Sequence, residues 1–134
     1  MPAIRKAALL AAAALALPIS LIQAGPASAV PQCTIDLVWQ NAYVPGEDSG
    51  SFSPNCQMGQ GAVSNAVREL QFTLNQCYQK NLATDGNFGP ATRSALISVQ
   101  RAAGASADGV YGPQTARAIN HPIVASRLCK RITF

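Results

Sequence analysis

The apolar residues in the middle of the chain recur with the period of an α-helix. Five of them follow one another at steps of four, three, four and three residues: Val63, Val67, Leu70, Leu74 and Cys77. This spacing places all five side chains on one stripe of a helix. We therefore predict a first helix over Ser64–Tyr78, with the stripe facing the core.

Two further helices are predicted to begin with a Gly-Pro pair. Proline suits the first helical position, because its fixed φ fits the helix and its missing N–H needs no partner there. The second helix is predicted over Pro90–Ala103, where Gly104 follows as a C-terminal cap. The third is predicted over Pro113–Asn120, and Pro122 stops it.

The turns that precede these two helices repeat one motif. The segment "DGNFGPAT" begins at Asp85, and "DGVYGPQT" follows it by 23 residues. The repeated turn positions are Asp85 and Asp108, Gly86 and Gly109, Phe88 and Tyr111, Gly89 and Gly112, and Pro90 and Pro113. Asp-Gly favours a tight turn, since the carboxylate accepts from nearby backbone N–H groups and glycine tolerates a positive φ. We interpret these residues as a structural turn that starts a helix, used twice, and the aspartates as caps without a catalytic role.

The segment before the first helix has a different character. Residues 30–61 are rich in turn formers, and "CTIDLVWQNAYV" predicts short extended pieces near Thr34–Val44. Trp39 and Tyr43 stand out in it. Large aromatics usually pack on a core, and the alternative is a platform on which sugars stack.

The first residues resemble a secretory signal peptide. Arg5 and Lys6 precede the apolar run Ala7–Leu17, and Ala27-Ser28-Ala29 offers a cleavage site. The run is short for a spanning helix, so we expect no stable membrane insertion after cleavage. We predict a signal peptide at 1–29, a turn-rich extension at 30–61, a helical domain at 62–122 and a tail at 123–134. The expected location is extracellular.

Charge and cysteine content narrow the class of protein. Without the signal peptide, eight basic and six acidic residues leave a net charge of about +2 and no basic stripe. This argues against nucleic acid as the partner.

Four cysteines in an exported chain predict two disulfides, and sequence alone permits three pairings. We favour Cys33–Cys56, because neighbours in sequence close first, and Cys77–Cys129, which would tie the tail to the first helix.

The paired turns and the first helix resemble the peptidoglycan-binding domain of bacterial cell-wall hydrolases and transpeptidases. The resemblance rests on "VRELQFTL", "DGNFGPAT", "VQRAAGASA" and "DGVYGPQT", and it covers roughly residues 60–120. It implies an all-α, three-helix fold and noncatalytic binding to cell-wall peptidoglycan. The sequence departs from the family pattern at Val99, Ala105 and Ala116, where larger side chains are usual.

Chemistry on the cell wall is not expected of this chain. There is no C-x-x-C pair, and the single histidine, His121, cannot supply a zinc site. Paired cysteines provide no free thiolate. We interpret His121 as a cation near a helix C-terminus. No metal, cofactor or catalytic residue is predicted, and the protein is expected to be a monomer.

A ligand surface is predicted at the repeated turns. Peptidoglycan presents sugars, hydroxyls and carboxylates, which call for aromatic, amide and cationic groups. The turns carry such groups: Asn87, Phe88 and Arg93 at the first, Tyr111, Gln114 and Arg117 at the second. We expect Tyr111 to be the better ligand-facing aromatic, because its hydroxyl favours a partly wet position. The alternatives are that both rings belong to the core and the arginines to a solvated face, and that the protein binds another secreted protein.

Overall fold

A computed structural model of the protein describes residues 29–134. The predicted signal peptide lies outside the described residues, apart from its last position. The described part contains three helices and four short strands: β1 Ile35–Trp39, β2 Ala42–Gly46, α1 Asn65–Tyr78, α2 Pro90–Ala103, α3 Pro113–Ala118, β3 His121–Pro122 and β4 Cys129–Lys130. Among residues 29–134, no helix is long and apolar enough to cross a bilayer.

All three predicted helices are confirmed, with small shifts at their ends. Ser64 lies just outside α1 as its N-cap, and its hydroxyl accepts from the Val67 amide at 3.2 Å. The α2 helix has the predicted bounds, and Gly104 caps it with φ of 72°. The α3 helix ends at Ala118, two residues early, because Ile119 is already extended and leads into β3.

The helices enclose a core built mainly by the predicted stripe. Val67, Leu70 and Leu74 are fully buried on α1 and pack with Leu96 and Val99 of α2. Cys77 is half-buried, so it continues the stripe to the helix end.

Val63 does not belong to that stripe, because its side chain is 72 % exposed. It precedes α1 and forms an isolated antiparallel bridge with Asn87.

The extended pieces form a β-hairpin. Strands β1 and β2 pair antiparallel from Ile35 opposite Gly46 to Trp39 opposite Ala42. The two turn residues between them, Gln40 and Asn41, have φ of 51° and 64°, as a tight hairpin turn requires. A second two-stranded sheet pairs β3 with β4. The protein is therefore all-α only across the helical domain, and two small sheets flank it.

Both favoured disulfides are present. Cys33–Cys56 closes the N-terminal extension on itself, and Cys77–Cys129 ties the end of α1 to β4. Each bridge restricts the unfolded chain and contributes about 2–4 kcal/mol to stability. A small second core of Ala42, Val44 and Ile132 forms where the hairpin meets the C-terminal segment.

Candidate functional site

The first Asp-Gly turn is held by a buried glutamine on α1. Gln71 is 1 % exposed, and its side-chain carbonyl accepts from the Gly86 amide at 2.9 Å. Its Nε2 donates to Asp85 Oδ1 at 3.0 Å, to the Asn87 carbonyl at 2.9 Å and to Thr92 Oγ1 at 3.1 Å. One side chain thus fixes both ends of the turn and the first residues of α2.

The second turn is held in the same way by Gln100 on α2. Its side-chain carbonyl accepts from the Gly109 amide at 3.0 Å. Its Nε2 donates to Asp108 Oδ1 at 3.1 Å and at 2.9 Å to both the Val110 carbonyl and Thr115 Oγ1. The repeated motif is therefore larger than the turn, because it includes a glutamine from the preceding helix.

The aspartates stabilise the turns and not the helix ends. Asp85 accepts from the Asn87 amide at 2.9 Å, and Asp108 accepts from the Val110 amide at 2.9 Å. The Asn87 amide, together with the Gln71 side chain, holds the pKa of Asp85 below its usual value. The helix N-caps are the following glycines, whose lack of a side chain leaves no cap bond to α2 or α3.

Sequence reasoning did not assign a role to the two glutamines, although a signal was present. Gln71 lies four residues after Val67, and Gln100 lies four residues after Leu96. Each is thus a polar residue at a core position of an apolar stripe. A buried amide must find partners, and the turn that follows the helix supplies them.

The two aromatic side chains of the motif are core residues. Phe88 is 2 % exposed and Tyr111 is fully buried. The expectation that Tyr111 keeps its hydroxyl wet is wrong, because the hydroxyl is buried with the rest of the side chain. The Tyr111 backbone also pairs with the segment before α1: its amide donates to the Met58 carbonyl at 2.9 Å, and the Met58 amide donates to the Tyr111 carbonyl at 2.8 Å. Burial raises the pKa of Tyr111, and the nearby Glu69 charge adds to that shift.

The polar residues predicted to contact ligand are all exposed. Asn87 lines a cavity of about 220 Å³ beside the first turn, together with Asp85 and Pro90. Arg93 begins near the first turn but reaches the second, where its guanidinium donates to the Asp108 carbonyl at 3.3 Å. Arg93 therefore joins the two turns, which the sequence had treated separately.

The remaining two polar residues lie on α3. The Gln114 side-chain carbonyl accepts from the Ser106 amide at 3.4 Å. Arg117 donates to the Phe134 carbonyl at 3.2 Å, and its guanidinium lies 4.7 Å from the centre of the Phe134 ring. The C-terminal residue thus holds Arg117 in a defined orientation at the protein surface.

His121 is buried and has no role as a helix-terminal cation. Its Nε2 lies 2.8 Å from the Ala116 carbonyl, and burial lowers its pKa to about 4. The imidazole is therefore neutral at pH 7. Within residues 29–134, no group of three or more potential metal ligands comes together, and every cysteine is in a disulfide.

Comparison with known proteins shows that the segment with the paired turns is similar to a known family. Residues 63–119 match a family model described as "Putative peptidoglycan binding domain". The chain is 39 % identical over 69 residues to the zinc D-Ala-D-Ala carboxypeptidase of Streptomyces albus G, covering 49 % of this chain and 27 % of that protein. It is 38 % identical over 63 residues to the N-acetylmuramoyl-L-alanine amidase CwlM of Mycobacterium tuberculosis, and this match covers 47 % of this chain and 16 % of that protein.

Solved structures include similar segments. A crystal structure of the SleB N-terminal domain is 36 % identical, with a TM-score of 0.43, and the match covers 48 % of this chain and 88 % of that one. A peptidoglycan-binding protein from Clostridioides difficile is 33 % identical, with a TM-score of 0.45 over 48 % of this chain and 40 % of that one.

The similarity to the two enzymes extends over a small part of each. The chain spans about a quarter or less of the length of these curated relatives. The matched part of this chain contains α1, α2, α3 and both glutamine-held turns. Residues 63–119 therefore resemble a peptidoglycan-binding domain.

Proposed function

We propose that the protein is a secreted, noncatalytic module that binds bacterial cell-wall peptidoglycan and acts at the cell wall as a monomer. The match of residues 63–119 to a peptidoglycan-binding family carries this proposal. Two disulfides support an oxidising, extracellular setting, where such bridges persist. The buried glutamines support a binding role for the turns, because they fix the backbone that presents the exposed side chains.

The proposed contact surface comprises the exposed polar members of the predicted site. These are Asn87 at the first turn, Arg93 between the turns, and Gln114 and Arg117 on α3. Amides can bond to acetamido and hydroxyl groups, and guanidinium groups can pair with stem-peptide carboxylates. Phe88 and Tyr111 are left out because both rings are buried.

Cosedimentation with purified sacculi tests the binding itself. The oxidised protein is expected to pellet with intact sacculi, and the bound fraction is measured against protein concentration. A parallel sample of sacculi stripped of stem peptides assigns the contact to peptide or to glycan. A protein that binds another secreted protein instead would stay in the supernatant with both preparations.

Substitution of the two arginines tests the proposed surface. Arg93→Ala and Arg117→Ala each remove an exposed cation near the turns. We expect an association with sacculi that is about two- to fivefold weaker, the range for losing one exposed charged contact. Arg131→Ala removes the same charge from the exposed tail, outside residues 63–119, and serves as the matched control. If Arg93→Ala and Arg117→Ala bind sacculi as well as Arg131→Ala does, the contact surface lies elsewhere.

A further inference from the structure

A second cleft lies between the β-hairpin and α1. It has a volume of about 480 Å³, and we refer to it as the hairpin cleft. Asp36 of β1 and Tyr43 of β2 line one side. The other side is one face of α1, with residues at helical spacing: Asn65, Arg68, Glu69 and Phe72.

The hairpin side of the cleft is held firmly in place. The Trp39 indole N–H donates to the Thr133 carbonyl at 3.0 Å, and the Lys130 ammonium donates to the Gln40 carbonyl at 2.9 Å. The Cys33–Cys56 disulfide secures the base of the hairpin. A cleft with fixed walls binds a ligand at a lower cost in conformational entropy.

The cleft presents opposite charges at separate positions. The exposed Arg68 guanidinium lies 3.5 Å from the Asn65 side-chain oxygen. On the next residue, the half-buried Glu69 carboxylate accepts from the Thr73 hydroxyl at 3.2 Å. Asp36 adds a second, exposed carboxylate from the hairpin. Two acidic groups and one basic group therefore line the same cleft.

The cleft also has an apolar wall. Phe72 is 41 % exposed and lines the cleft from α1. Tyr43 is half-buried, and it lines the cleft together with Phe72. Aromatic rings beside charged groups are typical of sites that enclose a small polar ligand with an aliphatic part.

The surroundings of Glu69 favour a cation in the cleft. Burial raises the pKa of Glu69 to about 7, the Thr73 hydroxyl opposes that shift, and the Asp36 charge adds to it. Arg68 and Tyr43 also line the cleft. An ammonium placed between the two carboxylates would stabilise the ionised form of Glu69.

We infer that the hairpin cleft binds an amino-acid group that carries a free ammonium and a free carboxylate. Asp36 and Glu69 receive the ammonium, Arg68 receives the carboxylate, and Phe72 contacts the aliphatic part between them. One wall of the cleft belongs to α1 and the other to the hairpin, which lies outside residues 63–119. None of the lining residues belongs to the proposed contact surface at the turns, so the two sites are distinct. The group can be a free amino acid or the zwitterionic end of a diamino acid within a wall peptide.

Titration with a defined amino acid tests this inference. Meso-diaminopimelic acid is added to the oxidised, isotope-labelled protein, and amide chemical shifts are recorded at pH 7.5. We expect saturable shifts at Asp36, Arg68 and Phe72, and none with the diacetylated acid, which lacks both ammonium groups. If a stem peptide that contains the diamino acid binds more tightly than free meso-diaminopimelic acid, the wall is the source of the ligand. If the stem peptide binds more weakly, the ligand is the free amino acid.

Variants distinguish the cleft from general charge effects. Asp36→Asn combined with Glu69→Gln should weaken binding at least tenfold, and Arg68→Gln should do the same. Asp48→Asn removes one exposed acidic charge from a loop and should bind like the parent. Asp36→Asn alone provides a mild variant, because an exposed side chain is not needed for folding.

Three results would overturn the inference. The first is the absence of shifts with meso-diaminopimelic acid, and the second is an equal affinity of Asp36→Asn/Glu69→Gln and Asp48→Asn for this acid. The third is the release of soluble wall fragments from sacculi, because the carboxylates would then be catalytic. Cosedimentation of the same variants with sacculi is run in parallel. If the parent does not bind the amino acid but still cosediments with sacculi, only the inference about the hairpin cleft is overturned, and the proposed function stands.

Discussion

The side-chain carbonyl of Gln71 accepts a hydrogen bond from the Gly86 amide at 2.9 Å, 15 residues along the chain. The equivalent bond joins Gln100 to Gly109 at 3.0 Å, nine residues along the chain. The two glutamines therefore support equivalent turns, although the distance in sequence between glutamine and turn differs. This relationship turns a repeated sequence motif into a repeated piece of structure.

Replacement of the buried glutamines should destabilise the protein. Gln71→Ala leaves the Gly86 amide, the Thr92 hydroxyl and the Asn87 carbonyl without their shared partner. We expect the free energy of unfolding to fall by about 2–4 kcal/mol, because buried polar groups lose their bonds and a cavity opens. Urea unfolding of the oxidised protein measures this.

The exposed Gln60 offers a matched control for that experiment. Gln60→Ala removes the same side chain from the surface and should change stability by less than about 0.5 kcal/mol. Equal stabilities of the Gln71→Ala and Gln60→Ala variants would show that the turn does not depend on its glutamine.

The glycine after each aspartate should resist substitution for two separate reasons. Gly86 has φ of 78°, and a Cβ there would lie 3.0 Å from the Ser64 carbonyl oxygen. Gly86→Ala should therefore cost about 2–3 kcal/mol, from backbone strain and close contact together. Thermal unfolding followed by circular dichroism measures the loss.

Gly104 separates the two contributions. Its φ of 72° is nearly the same, but a Cβ there would meet nothing within 4 Å. Gly104→Ala should cost about 1 kcal/mol, which is the strain of a positive φ alone. If Gly104→Ala is as damaging as Gly86→Ala, the close approach of the turn to Ser64 adds nothing.

The half-buried Glu69 and the buried His121 should have opposite effects on stability in acid. The pKa of Glu69 is raised from 4.5 to about 7, so its stabilising effect is complete below pH 4.5 and is lost as the pH rises through 7. The pKa of His121 is lowered from 6.5 to about 4, so its effect is complete above pH 6.5 and is lost as the pH falls through 4. Each amounts to at most about 3 kcal/mol. The stability of the parent should therefore change little between pH 4.5 and 6.5.

Glu69→Gln should remove one side of this balance. The variant should lose up to about 3 kcal/mol of stability as the pH falls from 6.5 to 4.5, because only the His121 effect remains. Chemical unfolding at several pH values measures the slope, and Asp48→Asn should keep the parent's profile. A Glu69→Gln profile as flat as the parent's would mean that Glu69 is not perturbed by burial.

Local patterns were sufficient to predict the helices and the number of disulfides. The apolar period placed α1, and the Gly-Pro pairs placed the starts of α2 and α3, since each signal acts within a few residues. The inward position of Cys77 at a helix end favours a bridge there, but it does not by itself select Cys129 as the partner. These features depend on short-range geometry or on a count of cysteines.

Contacts between distant parts of the chain were out of reach of the sequence. The Trp39 indole N–H donates to the Thr133 carbonyl, 94 residues away, and this contact joins the hairpin to the C-terminal segment. Tyr111 is buried in a core cluster that also contains Met58, 53 residues earlier in the chain, and no local sequence pattern predicts that contact. The hairpin cleft was likewise not predicted, because Asp36 and Glu69 lie far apart in the sequence and come together only in the fold.

The central claim is that the folded domain binds peptidoglycan, and a binding isotherm on purified sacculi tests it most directly. The oxidised protein is mixed with increasing amounts of sacculi, and the unbound protein is measured after sedimentation. We predict saturable binding by the parent and markedly reduced binding by a Gln71→Ala/Gln100→Ala variant, in which both turns have lost their support. A parent protein that remains in the supernatant at every concentration of sacculi would contradict the account.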